Sequence, residues 1–170
     1  MSESLSILTV CLGNICRSPT AEATLREAAG AVGLALSVDS AGTGAWHLGN
    51  PPDARMRAAG AEVGLDIDGV AQRVDLASLQ EADLVVAMDR SNLRDLQRLA
   101  GSAGIDTPMV LFRDFDPEAT GTAEIPDPYY GGPEGFAEVV EICRRTSQRL
   151  VDALSQGGVE AALRARREDA

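Results

Sequence analysis

Apolar residues follow two rhythms along the chain. Short, largely apolar runs at residues 5–10, 34–40, 82–88 and 108–112 read as strands, the first of them buried. Between them the apolar positions recur at helical spacing. After Pro19, Ala21, Leu25, Ala28, Ala29 and Val32 share one face, and Gly33 stops that helix. A loop rich in Gly and Pro leads to a second helix near residues 53–63. Leu93, Leu96 and Leu99 mark a third, for which Asp89 is a suitable N-cap. An irregular stretch, 113–132, precedes a last helix that begins at Pro133. Phe136, Val139, Val140, Cys143, Leu150, Val151 and Leu154 form its apolar stripe, and Gly157 is expected to end it. The closing "ARREDA" reads as a solvated end.

Strands that alternate with helices predict an α/β fold: a four-stranded parallel sheet with helices on both faces. No repeat, low-complexity block or linker divides the chain, so residues 1–170 are expected to form a single domain. Ligands of such sheets bind beyond the carboxyl ends of the strands. The first strand ends there on "VCLGNICRSPTAEA", which holds two of the three cysteines.

Composition narrows the classes. Net charge is −11, which speaks against a nucleic-acid partner. All 15 basic residues are arginine. No apolar run approaches the roughly 18 residues that span a bilayer, and "MSES" lacks the blocks of a signal peptide. A cytoplasmic protein without a membrane partner is expected. Three cysteines are too few for a disulfide framework. Cys143, on its apolar stripe, is expected to be a small core residue. His47 is the sole histidine and there is no CxxC pair, so the chain lacks the ligand set of a metal site.

The opening loop has its own chemistry. It precedes a helix N-terminus, where unpaired N–H groups and the helix dipole favour an anion. Gly13 and Asn14 tolerate the left-handed backbone that lets successive N–H groups converge. Arg17 offers a bidentate fork for two phosphate oxygens. Cys11, at the base of this cradle, is placed for a thiolate nucleophile, and the Ser18 hydroxyl is in reach to support it. The second Gly and the Lys of a Walker A loop are missing. An acid for a leaving group belongs on a mobile loop near the strand ends, where the irregular stretch offers Asp114, Asp116 and Asp127. Of the six aromatic residues, Trp46, Tyr129 and Tyr130 fall in loops and can wall a slot for a ring.

The stretch "VCLGNICRSPTAEA" resembles the phosphate-binding loop of the low-molecular-weight protein tyrosine phosphatases. The resemblance continues through "SAGTGAWHLGNPPDAR", "VVAMDRSNLRDL" and "DPYYGG", in the family's order and spacing, and only the tail after about residue 157 falls outside it. It implies that Cys11 attacks phosphorus and forms a phosphocysteine. Arg17 and the loop N–H groups, contributed along Leu12, Gly13, Asn14, Ile15 and Cys16, would then stabilise the equatorial oxygens. The "DPYY" pattern assigns the general acid to Asp127. Trp46 and Tyr129 would line the aryl slot, with Tyr130 beside them, although its own position in the chain suits packing under a loop. Asn14 would hold a positive φ, supported by Ser40. The family often completes that support with a histidine, but the matching stretch here, "GVAQRV", has none. Asp53 and Arg55 match "PxDxR" and are expected as helix-start and charge-pair residues, and His47 as a rim residue. Cys16 is close enough to Cys11 in sequence to form a reversible, protective disulfide. No cofactor is implied. The implied partners are phosphotyrosine-containing proteins, with inorganic phosphate or another oxyanion in the loop of a monomer.

Three alternatives use the same loop. Arsenate reduction needs further relay cysteines, and only Cys143 remains. Relatives that prefer phosphoarginine tend to carry Thr where Ile15 stands, and the apolar Ile15 suits an aryl phosphate better. A non-catalytic phosphotyrosine-binding module is disfavoured, because Cys11, Arg17 and Asp127 are all present.

Overall fold

The computed structural model describes residues 4–166. Four strands, β1 (Leu5–Cys11), β2 (Leu36–Gly42), β3 (Leu84–Ala87) and β4 (Met109–Leu111), form one parallel sheet in the order β2-β1-β3-β4. Five α-helices follow the pattern of the chain: α1 (Arg17–Val32), α2 (Ala54–Glu62), α3 (Leu76–Glu81), α4 (Arg90–Ser102) and α5 (Pro133–Arg164). Apolar residues of α1, α2 and α5 pack with Ile7, Val38, Leu84 and Val86 in the larger core. Leu79 of α3 and Leu96 and Ala100 of α4 pack with Leu8, Val10, Val85 and Ala87 in a second core. Adjacent residues of β1 and β3 thus face opposite cores, which is why β3 reads as an unbroken apolar run. The chain leaves β1 in one direction for β2 and returns past it to β3. The loop after β1 therefore stands at the topological switch point, where such sheets bind ligands.

Several boundaries differ from expectation. Helix α1 starts at Arg17, two residues ahead of Pro19, because proline fits anywhere in a first turn whose N–H groups lack helical partners. Strand β2 starts at Leu36 rather than at residue 34. Gly33 takes φ 70° and Leu34 donates to the Ala29 carbonyl, so Leu34 belongs to the cap of α1. Helix α3 was not anticipated. Its signal is a capping box in which Asp75 accepts from the Ser78 N–H while the Ser78 hydroxyl takes the Asp75 N–H. The last helix does not end at Gly157. The backbone breaks at Gly157 and Gly158, then coils again to Arg164. Val159, Ala162 and Leu163 return to the larger core, and their burial rewards the extra turn. Of the expected solvated tail, Ala165 also touches this core and Arg166 is partly buried. Its remaining residues, 167–170, lie outside the described ones. Among the described residues, no helix is long and apolar enough to cross a membrane.

Candidate active site

Cys11 is the last residue of the central strand, so its sulfur is placed by the sheet and not by a loop. The next five residues wrap around it. Their carbonyls are pulled outward by amides from neighbouring segments. Thr43 N–H donates to the Cys11 carbonyl (2.9 Å), Gly44 N–H to Leu12 (2.9 Å) and Asp53 N–H to Ile15 (2.8 Å). With the carbonyls fixed outside, the amides turn inward. The N–H groups of Gly13, Ile15, Cys16 and Arg17 have no acceptor among the described residues. Asn14 takes φ 57°, the only positive φ at a described non-glycine residue, and its N–H points at Cys11 Sγ (3.2 Å). Ser18 Oγ lies 3.0 Å from the same sulfur. Such a concave array of donors at a helix N-terminus is a site for an oxyanion. The approach of β2 demands glycine: a Cβ on Gly42 would stand 2.7 Å from the Leu12 carbonyl oxygen.

A buried polar chain supports Asn14 from behind. Gln72 N–H donates to Asn14 Oδ1 (2.9 Å), which fixes the amide's orientation. Asn14 Nδ2 then donates to Ser18 Oγ (2.8 Å) and Ser40 Oγ (3.0 Å). Ser40 in turn donates to Glu22 Oε1 (2.7 Å). Gln72, from the stretch without a histidine, and Glu22 complete this support, and neither carries a role in the sequence analysis. A signal was available, since Asn14, Ser18, Glu22 and Arg26 recur every four residues and so share one side of α1 and its approach.

Arg17 closes the loop. Its Nη1 lies 2.7 Å from Asp89 Oδ2 and 3.2 Å from the Ile125 carbonyl, and its Nη2 lies 3.6 Å from Asp127 Oδ2. Burial opposes its charge. The Cys11 sulfur, Asp89 and Asp127 outweigh that effect and hold the guanidinium above its ordinary value. Asp89 caps α4 as expected, accepting from Asn92 N–H (2.7 Å) with its other oxygen. Its grip on Arg17 was not foreseen.

Of the three candidate acids, only Asp127 lines the cavity at the loop. Its Oδ1 accepts from Tyr129 N–H (3.1 Å), and its side chain is half exposed. Asp116 is instead clamped between Arg113 and Arg145, and Asp114 is buried in the short 3-10 turn Phe112–Phe115. The cavity, about 430 Å³, has Cys11, the loop and Arg17 at its floor. Leu12, Ile15, Trp46, His47, Tyr129 and Tyr130 form its walls. The His47 imidazole lies over Gly13, where a Cβ would meet it at 3.0 Å. Trp46 lies over Gly44, where a Cβ would stand 2.0 Å from the indole. Tyr130 corrects an expectation. It does not pack under a loop but stands 93% exposed at the mouth, edge-on to Tyr129.

Asp53 caps α2 and pairs with Arg55 (2.9 Å), as expected. Arg55 also stacks between Tyr129 and Phe136, which ties the slot to α5. Asn14, Ser18 and Ser40 stand behind the loop and do not line the cavity. Cys16 does line it, but burial, Asp53 and the Cys11 sulfur push its thiol up to about 12. No group of three or more His, Cys, Asp or Glu side chains among the described residues could hold a metal.

A parallel sheet whose first strand delivers a cysteine into an arginine-closed oxyanion loop has the architecture of a cysteine-loop phosphatase. The family model for low molecular weight phosphotyrosine protein phosphatase matches residues 6–160. A low molecular weight protein-tyrosine-phosphatase of Streptomyces coelicolor is 42% identical over 150 residues, covering 86% of this chain and 92% of that one. The low molecular weight phosphotyrosine protein phosphatase of Homo sapiens is 35% identical over 150 residues, covering 86% and 94%. The crystal structure of a protein tyrosine phosphatase from Entamoeba histolytica, with Hepes in its active site, superposes with a TM-score of 0.85. It is 35% identical, and the match covers 91% of this chain and 99% of that one. The chain belongs to the low molecular weight protein-tyrosine-phosphatase family and is a hydrolase.

Proposed function

We propose that the protein hydrolyses phosphotyrosine in proteins through a phosphocysteine intermediate. One observation carries this reading: Cys11, Arg17 and Asp127 converge on a single cavity that aromatic side chains wall. The phosphate of a phosphotyrosine sits among the loop N–H groups and Arg17, while its ring lies between Trp46 and Tyr129. Cys11 Sγ attacks phosphorus and the bond to the phenolic oxygen breaks. The Asp127 carboxyl gives its proton to that oxygen. Asp127, now a carboxylate, takes a proton from water. The resulting hydroxide attacks phosphorus, and phosphate leaves as the thiolate is restored. The inward N–H groups and Arg17 are preorganised for the charge that spreads over the equatorial oxygens. Ser18 and the Asn14 N–H support the sulfur when it is anionic.

Arsenate reduction gains no support. Cys143 is fully buried in α5, and burial pushes its thiol far up, so it offers no relay. The apolar side chain of Ile15 on the cavity wall favours an aryl over a guanidinium phosphate. Three unpaired cysteines suit a reducing cytoplasm, where phosphotyrosine-bearing proteins would be the partners. The deciding experiment is turnover of para-nitrophenyl phosphate and of a phosphopeptide panel that includes phosphoarginine. Wild type should prefer phosphotyrosine peptides, and Cys11→Ser should be inert. Appreciable turnover by Cys11→Ser would sink the mechanism, and a preference for phosphoarginine would overturn the substrate.

A further inference from the structure

Asp127 makes few contacts of its own. Its side chain is half exposed, accepts one N–H from Tyr129 at 3.1 Å and lies 3.6 Å from Arg17. The backbone on either side must therefore set its place. Pro126 and Pro128 flank it. Each proline fixes its own φ and confines the residue before it to extended conformations, so Ile125 and Asp127 are both confined. From Ile125 to Asp127 the chain is a short stiff arm, and the carboxyl stands where Ile125 puts it.

Ile125 is firmly held. It is 1% exposed, its N–H donates to the carbonyl of Met88, just past β3, at 2.8 Å, and its own carbonyl accepts from Arg17 at 3.2 Å. Glu124, beside it, is held twice. Its Oε2 accepts from Arg90 N–H at the start of α4 (2.8 Å), and its carbonyl accepts from Arg113 Nη1 (2.9 Å). Arg113 Nε donates to Asp116 Oδ2 at 3.0 Å. Asp116 and Glu124 are the two ends of an irregular turn whose residues between are mostly exposed. One guanidinium thus staples both ends of that turn, and the staple is rooted in the 3-10 turn that follows β4.

We propose that Arg113 is a positioning residue for the general acid, because it fixes the root of the arm that carries Asp127. It rests on Asp127 being the acid of the proposed function. Arg113 does not line the cavity and acts only through the 124–127 backbone. Proton transfer needs donor and acceptor within about 3 Å, so a loosened root costs catalysis without touching the phosphate site. Arg145 makes the comparison sharp. It grips the same Asp116 carboxylate, at 2.8 and 3.1 Å, but its other partners are Glu118 and Glu141, so it does not staple the turn to Glu124. A merely structural Arg113 would behave as Arg145 does.

The test is kcat/KM on a series of aryl phosphates, from phenyl phosphate to dinitrophenyl phosphate, beside urea denaturation. Arg113→Met should lose roughly tenfold on phenyl phosphate and little on dinitrophenyl phosphate, whose phenolate leaves without a proton. Inhibition by inorganic phosphate should be unchanged, since Asp89 still holds Arg17. Arg145→Met should lose stability with no change in the leaving-group slope. Glu124→Ala frees the same segment from α4 at a partly exposed position. It should steepen the slope too, and it covers the case in which Arg113→Met folds poorly. Added to Asp127→Asn, Arg113→Met should cost nothing further on phenyl phosphate. A wild-type slope in Arg113→Met, or in Glu124→Ala where the former does not fold, overturns the proposal. So does an equal loss across the series, an equal steepening in Arg145→Met, or an undiminished effect in the Asp127→Asn background. A wild-type slope in Asp127→Asn would instead strike the acid from the proposed function, which tells the two failures apart.

Discussion

Asp89 Oδ2 lies 2.7 Å from Arg17 Nη1, although 72 residues separate them. Strand β3 adjoins β1, so the segments that follow the two strands meet beyond the sheet, and a helix cap doubles as the anchor of the loop arginine. The two jobs can be separated. Asp89→Asn keeps an oxygen for the Asn92 N–H and should hardly change stability, but it loses the charge that orients Arg17. A drop of about tenfold in kcat/KM is expected, equivalent to about 1.4 kcal/mol. Asp89→Ala should lose that and also about 1 kcal/mol of stability from the missing cap. Steady-state kinetics with urea denaturation of both variants checks the separation.

In the proposed mechanism Asp127 protonates the leaving oxygen, so its removal should matter most when that oxygen is a poor leaving group. Asp127→Asn should lower kcat on phenyl phosphate by roughly 100-fold or more, within the usual range for general acid catalysis. On aryl phosphates with strongly electron-withdrawing substituents the loss should shrink. A leaving-group series measured on both proteins would show a steeper slope for the variant. Parallel lines would remove Asp127 from that role.

Gly44 is the position beneath Trp46 where a Cβ has no room beside the indole. Gly44→Ala should swing the ring away from the cavity, because Trp46 is largely exposed and free to move. The expected result is a KM for aryl phosphates raised several-fold, with kcat and thermal stability little altered. An unchanged KM would mean that the indole does not wall the ring slot.

Cys16 is a weak acid beside the nucleophile, and only its thiolate can attack an oxidised Cys11. Peroxide is expected to convert Cys11 to a sulfenic acid. Cys16 sulfur then displaces hydroxide to close a disulfide, and its proton passes to that hydroxide as water. Closure should be slow and should quicken as pH rises. Peroxide-treated wild type should regain activity with dithiothreitol, and Cys16→Ser should regain less. Equal recovery of the two would remove the protective role.

Asp116 tests stability rather than chemistry. Burial works against its charge, but Arg145, the Glu118 N–H and Arg113 outweigh burial and hold its carboxyl below the ordinary range. The contribution of this clamp is fully present above the unfolded carboxylate value of about 4 and is lost as pH falls through the lower folded value. Asp116→Asn should cost about 2 kcal/mol at neutral pH, below the range for a fully buried pair because both arginines touch solvent. Urea denaturation across the acid range would show the wild-type curve converging on that of the variant.

Much of this could be read from the chain because local signals carried it. Apolar runs located all four strands, and Cys11, Arg17 and the glycine-asparagine turn lie within seven residues of one another. The grip of Asp89 on Arg17 and of Gln72 on Asn14 escaped because these partners are distant in sequence and no local rhythm encodes such a pairing, whereas Glu22 did leave a four-residue rhythm along α1. Helix α3 escaped because six residues are too few to show a period. Gly157 reads as a stop because glycine has little helical preference. The apolar side chains beyond it outweighed that preference once the core could receive them.

That break in α5 separates kinship from architecture. Likeness to the family fades at residue 160, yet Ala162, two positions further on, is completely enclosed. Anyone trimming the chain to its recognisable part would cut just past that break and unseat a plug. The shortened protein would keep every residue of the site and still unfold more readily, since the extension is a full member of the interior.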